Sequence, residues 1–224
     1  MYPDAVIFDF DGIIVDTEPI HFTSFQKILK PLALDYSWDE YVSKYMGYDD
    51  RDAFLEVFKT KGLQLEKETL NELIAQKSAV FEHIILNGVE PYPGVIDIIT
   101  ELYQQNIPLI ICSGALRSDI LPILDQLGIN TYFSDIISAD DVIRSKPDPA
   151  CYLLAKQRLI QSHPNKLNTE SYFCAIEDTP AGITAAQQAG IKVVAVTNSY
   201  SAEKLVSADK TIASLTMLTP SIWP

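Results

Sequence analysis

The strongest constraint on the fold is an interruption. Val6-Ile7-Phe8-Asp9-Phe10-Asp11-Gly12 opens as a run of β-formers ending in carboxylates, and residues 16–87 then hold nothing that looks like a strand. Beyond Gly88 the text changes. Apolar runs at Ile107–Cys112, Ile136–Ile137, Tyr172–Ile176, Lys192–Val196 and Thr211–Ile212 alternate with helical segments. Strands that alternate with helices specify a parallel sheet with right-handed crossovers. The chain is therefore read as an α/β core, residues 1–15 and 91–224, with an all-helical domain inserted at 16–90.

Local signals support both parts. Thr17 stands where an N-cap is wanted, Pro19 lies in the first turn, and Ile20, Phe25, Ile28 and Leu29 recur near helical period until Pro31. Asp49-Asp50 opens a second helix with Phe54, Leu55 and Phe58, closed by Gly62, and residues 66–86 carry a third. Residues 88–94 hold two prolines and two glycines, the punctuation of a linker. In the core, helices are expected over about 116–127, from Asp148-Pro149, over 180–189 and weakly near 202–206, with 161–171 a polar loop.

Charge and cysteine use narrow the partners. A formal net charge of −13 argues against nucleic acid and against an anionic membrane surface, since both call for a basic patch. No apolar run reaches bilayer length, and no basic segment leads into an apolar stretch at the N-terminus. Cys112, Cys151 and Cys174 match no zinc spacing and are odd in number, so free thiols are expected, in a reducing, cytoplasmic setting. A monomer is the default expectation.

Four polar sites fall at strand ends: Asp9/Asp11, Ser113-Gly114, Lys146-Pro147 and Glu177-Asp178. Parallel strands share a direction, so these ends converge on one edge, where α/β sheets bind ligands. Asp9 is a candidate nucleophile toward phosphorus, splitting one hard displacement into two easier ones. Asp11 is placed to protonate a leaving alkoxide and later to deprotonate water. Glu177 and Asp178, with Asp9, offer the oxygen donors that suit Mg²⁺. Ser113 and the backbone N–H groups near Gly114 can hold a phosphate, and Lys146, stiffened by Pro147 and Pro149, supplies a fixed ammonium. Each site also has a plain structural alternative: a strand-to-turn junction, charge complementing a helix dipole, a helix cap, an exposed loop lysine. Their shared order and spacing is what makes them a constellation.

Asp9-Phe10-Asp11-Gly12, followed by Asp16-Thr17-Glu18-Pro19-Ile20-His21, resembles the first motif of the haloacid dehalogenase superfamily. Ser113 matches the second motif, Lys146 the third and Glu177-Asp178-Thr179-Pro180-Ala181-Gly182 the fourth. The resemblance spans nearly the whole chain and points to the branch with a helical cap after the first strand, which holds sugar-phosphate phosphatases and β-phosphoglucomutase. It implies a Rossmann-like core, an aspartyl-phosphate intermediate on Asp9, Asp11 as general acid/base, and a small phosphorylated substrate. It also implies Mg²⁺ held by Asp9, Asp178 and the Asp11 carbonyl, with Glu177 in or near that shell.

The substrate is expected to be chosen by the cap. Met46-Gly47-Tyr48-Asp49-Asp50-Arg51-Asp52 is similar to the mutase substrate loop, with Arg51 as the candidate grip on a distal phosphate, one apparent insertion, and Met46 where the mutase has lysine. Thr17 and His21 match the mutase, His21 being equally readable as a plain helix residue, whereas Gly114-Ala115-Leu116-Arg117 departs from its Lys-Asn pair. Arg117 and Arg51 keep a cationic clamp available. The weakened second anion site favours a phosphatase over a mutase. A binding protein that lost its chemistry is disfavoured by the intact Asp9, Asp11, Lys146 and Asp178.

Overall fold

Six short apolar runs pair in parallel into one sheet with strand order β3-β2-β1-β4-β5-β6. They are β1 (Ala5–Phe8), β2 (Leu109–Cys112), β3 (Ile136–Ile137), β4 (Phe173–Glu177), β5 (Lys192–Val196) and β6 (Lys210–Ile212) in the computed structural model, which describes residues 1–46 and 48–224. Strands β1, β2, β3 and β4 are buried at every position, as expected for a parallel sheet covered on both faces. Order reverses at β1, which pairs with β2 on one side and β4 on the other. The carboxyl ends of β1 and β4 therefore flank the crevice of a Rossmann-like sheet.

Eight α-helices are described: α1 (Glu18–Leu29), α2 (Trp38–Lys44), α3 (Asp50–Thr60), α4 (Lys67–Ile85), α5 (Val95–Gln104), α6 (Arg117–Gln126), α7 (Ala150–Ser162) and α8 (Pro180–Gln188). By internal contacts the chain divides into Met1–Asp16 with Glu90–Pro224, and Thr17–Val89. The boundaries expected from sequence lie one residue away at each junction.

In the α/β unit, alternation along the strands sorts side chains between two faces. Ile7, Ile110, Ala175 and Val193 pack with Tyr152, Ala155 and Leu159 of α7 and Ile183 and Ala186 of α8. On the other face Phe8 meets Phe133 edge-on, with ring centroids 5.9 Å apart. Full burial of one such aliphatic side chain contributes about 1.5–3 kcal/mol. In the helical unit, α1, α3 and α4 close around Phe25, Leu29, Phe54, Val57, Leu70 and Leu73, with Tyr36, Tyr41 and Tyr45 in the same core. Asp49 caps α3 by accepting from the Asp52 N–H at 2.8 Å.

Several local expectations need correction. Helix α5 was not foreseen, although Val95, Ile98, Ile99 and Leu102 lie at helical spacing and are buried. The segment starts at Gly94 with φ +85°, not at a side-chain cap. Thr17 holds the N-cap position of α1, but its side chain makes no capping bond, because its backbone is already helical. Pro149, not Asp148, is the N-cap of α7, and Asp148 Oδ1 instead accepts from the Ala150 N–H at 3.0 Å. Strand β2 starts only at Leu109, after the proline. All three cysteines are buried free thiols. Burial pushes the Cys112 and Cys174 thiols up, which keeps them protonated. No helix among the described residues is long and apolar enough to cross a membrane.

Candidate active site

The strand ends do converge. Asp9 follows β1 directly, and its N–H continues the ladder to β4 by donating to the Ile176 carbonyl at 3.0 Å. Glu177 is the last residue of β4 and Asp178 the next. Carboxylate oxygens of Asp9, Glu177 and Asp178, all buried, lie within 4.8 Å of one another. Lys146, which precedes a cis peptide to Pro147, reaches into this group. Its Nζ donates to Asp9 Oδ1 at 2.8 Å, Glu177 Oε1 at 2.7 Å and the Cys112 carbonyl at 3.0 Å, and so uses all three of its protons.

The charges do not balance. Burial raises the Asp9 carboxyl well above the usual carboxylate range, Glu177 and Asp11 add to this, and Lys146 works against it. Lys146 itself is held well above the ordinary lysine value, because Asp9 and Glu177 outweigh the burial that would lower it. One ammonium thus stands among three buried carboxyls, with the Asp11 carboxyl beside them. A hard cation with oxygen ligands fits such a set.

The loop after β1 is shaped to the same cluster. Gly12 has φ +79°, and a Cβ there would sit 1.9 Å from Asp178 Oδ2. Glycine is required on both counts, by the left-handed backbone and by the close approach of the carboxylate. The Gly12 N–H donates to the Val15 carbonyl at 2.9 Å, and Asn198 Nδ2 donates to the Gly12 carbonyl at 2.6 Å. The neighbouring Asp11 Oδ2 receives the Ser113 hydroxyl at 3.4 Å. Ser113 Oγ in turn accepts from the Ala115 N–H at 3.0 Å, so it shapes the turn before α6 as well as facing Asp11. A side chain added at Gly114 would meet open space.

Glu177 is distinct from its neighbours. Oε1 accepts from Lys146 and from the Tyr152 hydroxyl at 2.8 Å. Oε2 accepts the Asp178 N–H at 3.1 Å, the Thr179 N–H at 3.3 Å and the Thr179 hydroxyl at 3.1 Å. A Cβ at Gly182 would fall 1.8 Å from Glu177 Oε1, so α8 is packed directly against this carboxylate.

Of the remaining candidates, Arg117 belongs to the α/β unit and Thr17, His21 and Arg51 to the helical unit. Arg117 is held at the β3 edge, where its guanidinium donates to the Ile136 carbonyl and pairs with Asp141 at 3.2 Å and Asp135 at 3.8 Å. In the helical unit Arg51 Nη2 lies 3.5 Å from Asp49 Oδ2 and its side chain is 36% exposed. Gly47 of the candidate substrate loop lies outside the described residues. Thr17 and His21 are buried. His21 stacks on Phe81 at 4.5 Å between centroids, and its Nδ1 accepts from Lys77 Nζ at 2.7 Å. Lys77 also pairs with Asp50 Oδ1 at 2.8 Å and has no exposed surface.

Sequence reasoning did not single out Tyr152, Asn198, Lys77 or Asp50 for these contacts. Asn198 was within reach of the same rule that found the others, since it lies just past the carboxyl end of β5. Tyr152 and Lys77 sit inside helices with no local sign of their polar partners.

Known proteins resemble this chain in sequence and in fold. The family model described as haloacid dehalogenase-like hydrolase matches residues 6–196. A protein of Thermotoga maritima named phosphorylated carbohydrates phosphatase is 29% identical over 193 residues, covering 84% of this chain and 82% of its own. The β-phosphoglucomutase of Bacillus subtilis is 30% identical over 200 residues, covering 86% and 82%. Among solved structures, a CbbY variant from Rhodobacter sphaeroides in complex with xylulose-1,5-bisphosphate superposes with a TM-score of 0.85 at 21% identity, covering 97% and 96%. At that identity the last shows the fold alone.

Proposed function

The chain belongs to the haloacid dehalogenase-like hydrolase family, in the branch with a helical insert after the first strand, and from this premise we propose a Mg²⁺-dependent phosphatase of a small phosphorylated metabolite. The observation that carries the reading is the buried oxygen cluster of Asp9, Glu177 and Asp178 against the single ammonium of Lys146, at the switch point of the sheet. Named relatives support a sugar phosphate as the substrate class.

The proposed division of labour follows from position. Asp9 attacks phosphorus as the nucleophile. The bond from phosphorus to the ester oxygen breaks as the bond to the Asp9 carboxylate forms, and Asp11 gives a proton to the departing alkoxide. Water then attacks the aspartyl phosphate while Asp11 takes its proton, which returns Asp9 and inorganic phosphate. Lys146 holds Asp9 in place and supplies fixed positive charge where the transferring group develops negative charge. Ser113 and the backbone at Gly114 are proposed to bind the phosphoryl oxygens. Asp9, Asp178 and the Asp11 carbonyl are proposed to hold Mg²⁺, which when bound offsets the repulsion between carboxylate and phosphate. Glu177 lies at the edge of that set, since both of its oxygens are already engaged by donors.

Thr17, His21 and Arg51 are proposed as the substrate-selecting residues of the helical unit. A cytoplasmic setting fits the three free thiols, and a monomer is the proposed state. Identity with the B. subtilis β-phosphoglucomutase keeps a hexose-phosphate mutase as a second reading. A mutase must turn a bisphosphate around between two anion sites, whereas Met46 and Leu116 stand where the mutase has polar residues.

Hydrolysis of p-nitrophenyl phosphate with Mg²⁺, stopped by chelator and restored by added metal, is the expected result. A wild-type protein without turnover would overturn the phosphatase. Incubation of β-glucose 1-phosphate with a trace of the bisphosphate separates the two readings: free phosphate as sole product retires the mutase, and glucose 6-phosphate retires the simple phosphatase.

A further inference from the structure

Tyr152 lies in the third position of α7 and has no exposed surface. A tyrosine buried there only to fill space would leave a hydroxyl that must find a partner, at a cost phenylalanine avoids. This hydroxyl donates to Glu177 Oε1 at 2.8 Å, the same oxygen that accepts Lys146 at 2.7 Å. The Tyr152 ring lies beneath the same ammonium, with Nζ 5.1 Å from its centroid. Burial and Glu177 hold the phenol well above the ordinary tyrosine value, so it stays a donor.

We propose that Tyr152 is a positioning residue of the phosphoryl-transfer site, which fixes Lys146 against Asp9 through Glu177 and through its own ring. The proposal rests on the phosphatase reading. Lys146 has three acceptors: the Cys112 carbonyl, fixed by the sheet, and the two side chains Asp9 and Glu177. Its aim at Asp9 therefore depends on where Glu177 Oε1 is held. Oε2 is anchored by Thr179 and the Asp178 N–H, while on Oε1 the donors are Lys146 and Tyr152. Without the phenol, Oε1 is shared with no second donor, and Glu177 draws the ammonium toward itself and away from the nucleophile.

Tyr152→Phe removes one oxygen and keeps the ring. With p-nitrophenyl phosphate and saturating Mg²⁺, kcat is expected to fall about tenfold, the scale of one hydrogen bond to a charged group, with KM within about twofold. The same substitution in a Lys146→Ala background should cost nothing further in kcat, since its effect runs through the missing ammonium. Equal losses in both backgrounds would overturn the proposal, as would a rise in KM with kcat unchanged. A readout independent of turnover covers a double variant that fails to fold and a wild type that proves inactive. The Lys146 ammonium, buried with all three protons engaged, should give a slowly exchanging ¹⁵N–¹H signal that Tyr152→Phe shifts and exposes to faster exchange. An unchanged signal overturns the positioning role. A wild type without turnover whose lysine signal still responds to Tyr152→Phe removes the phosphatase reading and leaves Lys146 placed by Tyr152.

Discussion

Among the described residues, each unit sets a lysine with little or no exposed surface against a carboxylate, and the two lysines differ in what else they touch. Lys146, in the α/β unit, has Asp9, Glu177 and a backbone carbonyl as acceptors, with the Tyr152 ring below it. Lys77, in the helical unit, has Asp50 and His21, with Phe25 and Phe81 rings at 5.3 and 4.9 Å from its Nζ. The first lysine is outnumbered by acids, an arrangement that invites a metal ion and a reaction. The second faces the Asp50 carboxylate, the His21 imidazole and two aromatic rings, an arrangement that satisfies a buried charge. A buried lysine is thus not in itself a mark of chemistry; the ratio of acids around it is the informative quantity.

The comparison is broken most severely at Asp9. Asp9→Asn should abolish hydrolysis while the protein stays folded, because an amide neither attacks phosphorus nor binds a divalent cation strongly. Turnover near that of the wild type in this variant would mean that the outnumbered lysine guards no nucleophile. Lys146→Ala should then lower kcat by about 10²–10³, the loss seen when one preorganised electrostatic partner is removed.

For Lys77 the expected loss is in stability. Lys77→Met takes the ammonium away from Asp50 and His21, and breaking a buried pair by removing one partner costs about 3–5 kcal/mol. Denaturant unfolding measures it. A loss below about 1 kcal/mol, the scale of an exposed pair, would show that Lys77 is not the structural counterpart argued here.

The acid surplus around Lys146 also predicts a response to metal. Mg²⁺ should raise the melting temperature, with a stabilisation of about 2.7 kcal/mol at a concentration one hundred times its Kd. Asp178→Asn should remove most of that response, read as the shift between chelated and Mg²⁺-loaded protein. A full metal response in Asp178→Asn would take the cation elsewhere. No such response is expected at the Lys77 cluster.

The same contrast explains what was legible in the sequence. In the α/β unit, polar residues stand at the carboxyl ends of apolar runs, and a parallel sheet carries all those ends to one edge. Asp9, Ser113, Glu177 and Asp178 were therefore readable from strand positions as well as from the family motifs they spell. Lys146 does not stand at a strand end as expected: it lies in the loop between β3 and α7 and was legible from its motif alone. Tyr152 was not, because it reads as one more large residue on the covered face of α7. In the helical unit the packing of helices decides which residues meet, and nothing local reports it. Lys77 in Ala75-Gln76-Lys77-Ser78 looks like any lysine in a long helix, and its partners lie on α1 and α3. Helix α5 had a clear apolar period but no recognisable start at Gly94.

The smallest expected effect concerns selection of the substrate. Arg51 lies in the first turn of α3, more than a third exposed, with Asp49 the acid beside it. If Arg51 contacts the distal part of a phosphosugar, Arg51→Ala should lower kcat/KM for that sugar about tenfold, or about 1.4 kcal/mol. It should leave p-nitrophenyl phosphate within twofold, because that substrate has no distal hydroxyl or phosphate to grip. Metal response should be that of the wild type, since the metal-binding carboxylates are untouched, and the fold should be kept because Asp49 retains the Asp52 N–H as its capping donor. Equal losses on the two substrates would place Arg51 in the general maintenance of the helical unit, beside Lys77, and would leave the choice of substrate to Thr17, His21 or the loop preceding α3.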